Sequence, residues 1–253
     1  MNLAYSTINW GEMAALEPMF AAIGQAGWSA VELFGHSLNW LGTPDTLIKR
    51  LGGLRVATLF GSFDLPVTDI QIELHQRRID YARAIGADAY GLVGGGRLRG
   101  RAPTVEEYAQ LADFCEGLSH YGNPREIVVA YHPHVGTTVE SSPEIRQLLG
   151  RTEALRLCLD ISHVALVGED PLQAMAEFWD RIGYFHLKDW ARGRFVELGQ
   201  GSLGIDFGRM LQGIDQRGFD GWVVVEQSRS EQSPEQSARD NAAYVRGLGY
   251  ALG

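Results

Sequence analysis

Ile182-Gly183-Tyr184-Phe185-His186-Leu187 is a short apolar run that carries an ionisable side chain near its end. Three other apolar runs are followed by a polar residue in the same way: 127–131 before His132, 157–159 before Asp160, and 222–225 before Glu226. Short runs rich in Val, Ile, Leu and aromatic residues are typical of strands buried on both faces, as in a parallel sheet covered by helices. The polar residues would then lie at the carboxyl ends of the strands.

The whole chain alternates between such runs and amphipathic stretches. Strands are predicted at 2–7, 29–34, 55–60, 88–93, 127–132, 156–160, 182–187 and 222–226. Helices are predicted at 13–26, 43–51, 66–85, 104–119, 142–150, 171–180, 205–217 and 234–248. This alternation over 253 residues predicts an α/β fold, a single (β/α)8 TIM barrel in one domain spanning residues 1–253. A doubly wound open sheet is the alternative, but no glycine-rich phosphate turn follows the first strand.

A weak internal repeat supports the barrel. The segment 23–32 ends a helix, passes through Gly27 and an aromatic residue, and enters a strand that carries Glu32. The segment 214–226 follows the same pattern through Gly218 to Glu226. The repeated segment is the end of one helix together with the strand that follows it, as expected for a fold built from such pairs.

Composition narrows the class of partner. The net charge is −9, from 22 basic and 31 acidic residues, and the isoelectric point is near 5.3. Such a charge disfavours nucleic acid and anionic membranes and suits a small-molecule substrate. The sequence shows neither a leader pattern nor an apolar stretch of about 18 residues, so a cytoplasmic location is expected. Aromatic residues on the outer helices, Phe178, Trp179 and Tyr244, leave a homo-oligomer open.

Four residues near the predicted strand ends have side chains that bind divalent metals, namely Glu140, Asp160, His186 and Glu226. Their separations of 20, 26 and 40 residues mean that only a closed fold can gather them. Two Glu, one Asp and one His form an oxygen-rich site, which suits Mn²⁺ best, with Co²⁺, Mg²⁺ or Zn²⁺ as alternatives. Glu140 alternatively helps to cap the helix that begins near Ser142.

Paired carboxylates suggest acid–base chemistry. Glu140 and Glu226 are predicted to remove and return a proton, and His132, His134 or Lys188 to protonate a departing hydroxyl. His186 and Lys188 alternate along a strand and are therefore expected to share a face. Five further residues near strand ends are predicted to contact substrate: His134, His163, Asp189, Arg192 and Trp10.

Five short motifs carry a family resemblance: 8–10 (Ile-Asn-Trp), 132–140, 186–189, 196–201 and 225–227. In these motifs the chain resembles the xylose isomerase-like TIM barrel superfamily of sugar phosphate isomerases and epimerases, and most of all its inosose dehydratase branch. The resemblance implies metal ligands on strands five to eight, at Glu140, Asp160, His186 and Glu226. Many members carry the first Glu on the strand itself, where this chain has His132, so the first ligand is either Glu140 or His132.

The resemblance also implies a reaction. It is that of a divalent-metal-dependent lyase or isomerase that removes an α-proton from a keto-sugar or keto-inositol through a metal-stabilised enediolate. Inosose (2-keto-myo-inositol) dehydratase activity is the leading expectation. The alternatives are a ketose 3-epimerase, an aldose–ketose isomerase of a sugar or sugar phosphate, an endonuclease IV-like nuclease, and a non-catalytic sugar-binding subunit.

Overall fold

The computed structural model describes residues 1–97 and 100–252. The strands are β1 (Asn2–Ser6), β2 (Ala30–Leu33), β3 (Arg55–Phe63), β4 (Ala89–Gly94), β5 (Val128–Tyr131), β6 (Arg156–Asp160), β7 (Ile182–Leu187), β8 (Asp189–Ala191), β9 (Arg194–Val196) and β10 (Trp222–Val225). Eight of them close a parallel barrel in the order β1, β10, β7, β6, β5, β4, β3, β2, which confirms the predicted fold class. The short strands β8 and β9 pair with each other as an antiparallel hairpin.

Helices separate the barrel strands. The α-helices in the described residues are α1 (Leu16–Ala26), α2 (Leu38–Leu41), α3 (Pro44–Arg50), α4 (Asp69–Ala84), α5 (Val105–Gly122), α6 (Ser142–Leu149), α7 (Ile161–Leu166), α8 (Pro171–Phe178), α9 (Phe207–Gln216) and α10 (Pro234–Gly247). All eight predicted helices and all eight predicted barrel strands are found, with boundaries shifted by a few residues. The β8–β9 hairpin, α2 and α7 were not predicted.

Contacts along the chain divide it into two compact units. The first unit contains residues 1–57 and the segment from His186 onward, and the second contains residues 58–185. In the first unit β1 pairs with both β10 and β2, with Tyr5 opposite Val225 and Ser6 opposite Glu32. The Tyr5 side chain packs against Trp28, and its hydroxyl lies 3.3 Å from Ser237 Oγ of α10. Because side chains alternate along a strand, Ser6 points to the other face of the sheet.

In the second unit β3, β4, β5 and β6 pair in parallel. Buried polar groups lie between α4 and these strands: His75 Nδ1 is 2.6 Å from the Tyr90 hydroxyl, and Arg78 donates to the Phe60 carbonyl at 2.6 Å. A side chain at Gly61 would collide with the Tyr90 hydroxyl, so only glycine leaves room for this group. Burial raises the pKa of Tyr90 to about 12, which keeps the phenol neutral.

None of the helices described for residues 1–97 and 100–252 is both long enough and apolar enough to cross a bilayer.

Candidate functional site

The first unit contains a buried group of charged side chains, Glu32, His186, Lys188 and Glu226, which we term the ionic cluster. His186 Nε2 lies 2.9 Å from Glu32 Oε2, and His186 Nδ1 lies 2.7 Å from Glu226 Oε2. Lys188 Nζ is 2.7 Å from Glu226 Oε1, which also accepts a hydrogen bond from Ser228 Oγ at 3.0 Å. One imidazole is thus held between two carboxylates, and one of these carboxylates is paired with an ammonium group.

Strand geometry explains how these groups meet. His186 lies in β7, and Lys188 follows two residues later on the same face, as the alternation predicted. Glu226 directly follows β10, and its backbone N–H donates to the Leu187 carbonyl at 3.0 Å, which aligns the two strand ends. Glu32 is the third residue of β2 and lies within the strand.

Burial makes these contacts chemically significant. All four side chains of the ionic cluster are at most 2% exposed. Charged groups removed from water need opposite charges or a metal beside them. Ligand atoms of Glu32, His186 and Glu226 all lie within 4.8 Å of one another. Two carboxylates and an imidazole form a mixed oxygen and nitrogen donor set, which fits Mn²⁺, Co²⁺ or Zn²⁺.

The second unit contains a different group, His132, His134, Asp160 and His163, which we term the histidine cluster. Asp160 ends β6 and caps α7, because its Oδ1 accepts the N–H groups of Ser162 at 2.8 Å and His163 at 3.2 Å. Its Oδ2 lies 3.6 Å from His163 Nε2. The ligand role predicted for Asp160 and the substrate-binding role predicted for His163 stay predictions.

The three imidazoles of the histidine cluster lie close together. The rings of His134 and His163 are 3.7 Å apart between centroids, and their planes are tilted by 42°. The His132 ring is 5.6 Å from His134 and 5.5 Å from His163, and it meets the Phe60 ring edge-on. Such a set of flat polar rings can bind hydroxyl groups or a metal.

Glu140 takes a position that the sequence did not indicate. Its carboxylate lies 2.6 Å from Arg97 and accepts the Gly136 N–H at 2.6 Å. Burial raises the pKa of Glu140, but the Gly136 N–H and the Arg97 charge outweigh burial and hold this pKa below its usual range. Among the described residues Glu140 belongs to none of the groups that could hold a metal. Its predicted ligand and acid–base roles stay predictions, and the geometry gives them no support.

Three other residues predicted to contact substrate lie in the first unit: Asp189 begins β8, Arg192 lies in the β8–β9 turn, and Trp10 ends a short 3-10 helix. The buried Asp189 carboxylate accepts three backbone N–H groups, from Trp190 at 2.8 Å, Gly199 at 3.0 Å and Gly201 at 2.8 Å. Burial raises the pKa of Asp189 despite these bonds. Arg192 is exposed in the β8–β9 turn, and the Trp10 ring packs edge-on against Tyr5. Asp189 therefore has a structural task in holding the 199–201 loop, and all three substrate roles stay predictions.

Of the four residues predicted to bind one metal, the structure brings His186 and Glu226 into direct contact, and the prediction did not include Glu32. The internal repeat indicated Glu32, because Glu32 and Glu226 occupy equivalent places at the ends of the two repeated segments. Both carboxylates contact the same imidazole in the structure.

Comparison with known proteins agrees with this architecture. An inosose dehydratase of Lacticaseibacillus casei is 32% identical over 152 residues, which are 52% of this chain and 49% of that protein. The chain thus spans about half the length of the curated relatives it matches first.

Solved structures share the fold at low sequence identity. An L-ribulose 3-epimerase matches with a TM-score of 0.83 and 17% identity, covering 98% of this chain and 94% of the other. The IOLI protein with a bound zinc atom matches with a TM-score of 0.77 and 16% identity, covering 100% and 98%. The model of the xylose isomerase-like TIM barrel family matches residues 20–248. The chain belongs to the xylose isomerase-like TIM barrel family.

Proposed function

We propose that the protein is a divalent-metal-dependent enzyme that dehydrates a keto-inositol or a similar keto-polyol. The observation that carries the proposal is the ionic cluster, in which buried acid, base and imidazole groups meet at strand ends of a barrel. Active sites of such barrels lie at the carboxyl ends of the strands. The inosose dehydratase similarity supports the substrate class, and the net charge of −9 suits a substrate without negative charge.

His186 and Glu226 are the residues that would hold the metal. Their Nδ1 and Oε2 atoms face each other at 2.7 Å, and the other oxygen of Glu226 contacts Lys188. A bound divalent cation supplies Lewis-acid polarisation of a substrate ketone. The ligand role predicted for Asp160 stays a separate proposal, and the Asp160→Asn variant in a metal titration tests it.

The side chains of the ionic cluster can carry out the proton transfers of dehydration. Glu226 accepts the proton from the carbon next to the ketone on Oε1, since Oε2 would face the metal. The electron pair of that C–H bond forms a double bond to the carbon that bears the neighbouring hydroxyl. The C–O bond of the neighbouring hydroxyl breaks, and the hydroxyl leaves as water with a proton from Lys188. The proton on Glu226 then returns to Lys188 across their 2.7 Å contact, so no net proton is consumed.

Burial supports this division of tasks. Lys188 and Glu226 are 2% and 1% exposed, so bulk water has little access to the transferred proton. Lys188 also lies 4.8 Å over the Phe195 ring of the hairpin, an arrangement that favours its charged form. The residues thus keep an acid and a base side by side with little competition from solvent.

The test is incubation of the protein with Mn²⁺ and 2-keto-myo-inositol in D₂O. Dehydration predicts growth of dione absorbance, loss of this activity in EDTA, and recovery when Mn²⁺ is added back. Incorporation of deuterium without dione formation would instead indicate a ketose epimerase or isomerase. Absence of both with Mn²⁺, Co²⁺, Mg²⁺ and Zn²⁺ would overturn the proposal, as would metal-dependent nicking of an abasic DNA duplex.

A further inference from the structure

Glu32 has no place in the reaction described above, yet it is among the most deeply buried charged residues in the first unit. It is 0% exposed, and its Oε2 lies 2.9 Å from His186 Nε2. It belongs to β2, which pairs with β1 so that Glu32 lies opposite Ser6. A carboxylate inside a strand needs a specific partner, because burial without one is strongly unfavourable. The imidazole of His186 is such a partner.

The two nitrogens of the His186 ring meet different carboxylates. Nε2 meets Glu32, and Nδ1 meets Glu226. A neutral imidazole has an N–H on one nitrogen and an in-plane lone pair on the other, and these two groups point in divergent directions. One cation therefore binds through only one of the nitrogens, and the carboxylate on the other nitrogen supports it from behind.

Strand position identifies the supporting side. Glu226 lies one residue beyond β10, at the carboxyl end where barrel chemistry takes place, whereas Glu32 is within β2. We propose that Glu32 is the positioning residue of His186: it accepts the Nε2–H hydrogen bond and so directs the Nδ1 lone pair toward the metal. This inference rests on the proposed function insofar as it assumes that His186 binds a cation.

Carboxylates behind metal-binding histidines fix both the tautomer and the ring orientation. The proposal therefore predicts a neutral His186 with hydrogen on Nε2 and metal on Nδ1. NMR of the Zn²⁺-loaded wild-type protein, labelled with ¹⁵N in histidine, reports which ring nitrogen carries hydrogen. A protonated Nε2 in His186 is expected. Hydrogen on Nδ1 would overturn the proposal and would make Glu32 the residue on the metal side.

A variant provides the second readout. Glu32→Gln keeps the shape of the side chain and removes its charge, so Co²⁺ affinity, measured by titration of the visible absorption of the ion, is expected to fall about 10- to 100-fold. The saturated spectrum should keep its band positions, because Glu32 does not touch the metal. The matched control is Glu17→Gln, since Glu17 is 61% exposed and pairs with Arg50 in the same unit. It should bind Co²⁺ as the wild type does.

The outcomes separate this inference from the proposed function. Failure of the wild type to bind Co²⁺ or Zn²⁺ would overturn both. Wild-type binding that Glu32→Gln leaves unchanged, or a Glu32→Gln spectrum with shifted bands, would overturn the positioning role alone. The NMR measurement uses only the wild-type chain, so it decides the matter even when the variant does not fold.

Discussion

The ionic cluster and the histidine cluster both arise where barrel strands end, but they compensate buried polarity in different ways. In the ionic cluster two glutamates are matched by a lysine and a histidine at 2.7–2.9 Å. In the histidine cluster one oxygen of the only carboxylate, Asp160, accepts backbone N–H groups, and the rings of His134 and His163 lie 3.7 Å apart at a 42° tilt. The first arrangement depends on charge, whereas the second depends on helix capping and on ring packing.

This difference indicates which cluster is better suited to bind a divalent cation. A cation entering the ionic cluster meets carboxylate charge directly, with His186 Nδ1 next to Glu226 Oε2. In the histidine cluster the nitrogens of His132, His134 and His163 also lie within 4.8 Å of one another, but the one carboxylate, Asp160, has an oxygen engaged by two backbone N–H groups. Because it offers more carboxylate charge, we expect the ionic cluster to bind a divalent cation more tightly than the histidine cluster does.

The largest expected effect comes from breaking the charge balance of the ionic cluster. Lys188→Met removes the ammonium beside Glu226 and leaves a buried carboxylate undercompensated, so the free energy of unfolding should fall by about 3–5 kcal/mol. Urea unfolding without added metal measures this loss. The exposed Lys49→Met is the control and should change stability by less than about 0.5 kcal/mol. A loss below about 1 kcal/mol for Lys188→Met would show that the charge contacts are energetically minor.

His75 differs from His186 because a cation, Arg78, and not a carboxylate lies beside it, and this difference affects its pKa. Burial and the Arg78 charge lower the pKa of His75 to about 4, against a hydrogen bond to Ser62 that raises it. In the unfolded chain the pKa of His75 is about 6.5. As the pH falls, His75 is therefore protonated in the unfolded chain before it is protonated in the folded one. The stability that depends on neutral His75 is complete above pH 6.5 and is lost as the pH falls toward 4.

Between pH 7 and pH 5 the protonation of His75 in the unfolded chain lowers the free energy of unfolding by about 2 kcal/mol. His75→Gln cannot titrate, so its unfolding free energy should decline less over this interval than that of the wild type, by about this amount. His120→Gln is the control, because the His120 side chain is 67% exposed. Parallel pH dependence in the wild type and His75→Gln would contradict the lowered pKa.

The smallest expected effect concerns the cap in the histidine cluster. Asp160→Ala removes the acceptor for the Ser162 and His163 N–H groups, and should lower the free energy of unfolding by about 1 kcal/mol. Asp160→Asn keeps an oxygen in the same place and should retain most of this stability. Equal destabilisation by Asn and Ala, measured by urea unfolding, would mean that the charge of Asp160 matters more than the cap.

Much of the fold was predictable, because apolar runs and capping residues repeat along the chain. Thr43, Ser233 and their following prolines mark helix starts that the structure confirms. The β8–β9 hairpin was missed because each strand has three residues, too few to show a period. Its turn places Arg192 and Gly193 at φ values of 54° and 81°, and only the glycine is a recognisable signal.

The site was less predictable, because its contacts join residues that are far apart in sequence. Glu32 and His186 are separated by 154 positions, and only the internal repeat, which gives Glu32 the same place as Glu226, indicates that Glu32 belongs to the site. Glu140 illustrates the opposite difficulty. It follows the His132 motif closely, but the turn at Gly136 directs its carboxylate to a backbone N–H and to Arg97. Sequence spacing alone contains no information about that turn.

The most direct test of the central claim is a crystal structure of the protein with Zn²⁺, located by its anomalous scattering. The account predicts a peak about 2.0–2.2 Å from His186 Nδ1 and from a carboxylate oxygen of Glu226, with Glu32 hydrogen-bonded to Nε2. A peak bound by the imidazoles of His132, His134 and His163, with neither His186 nor Glu226 in contact with zinc, would contradict it.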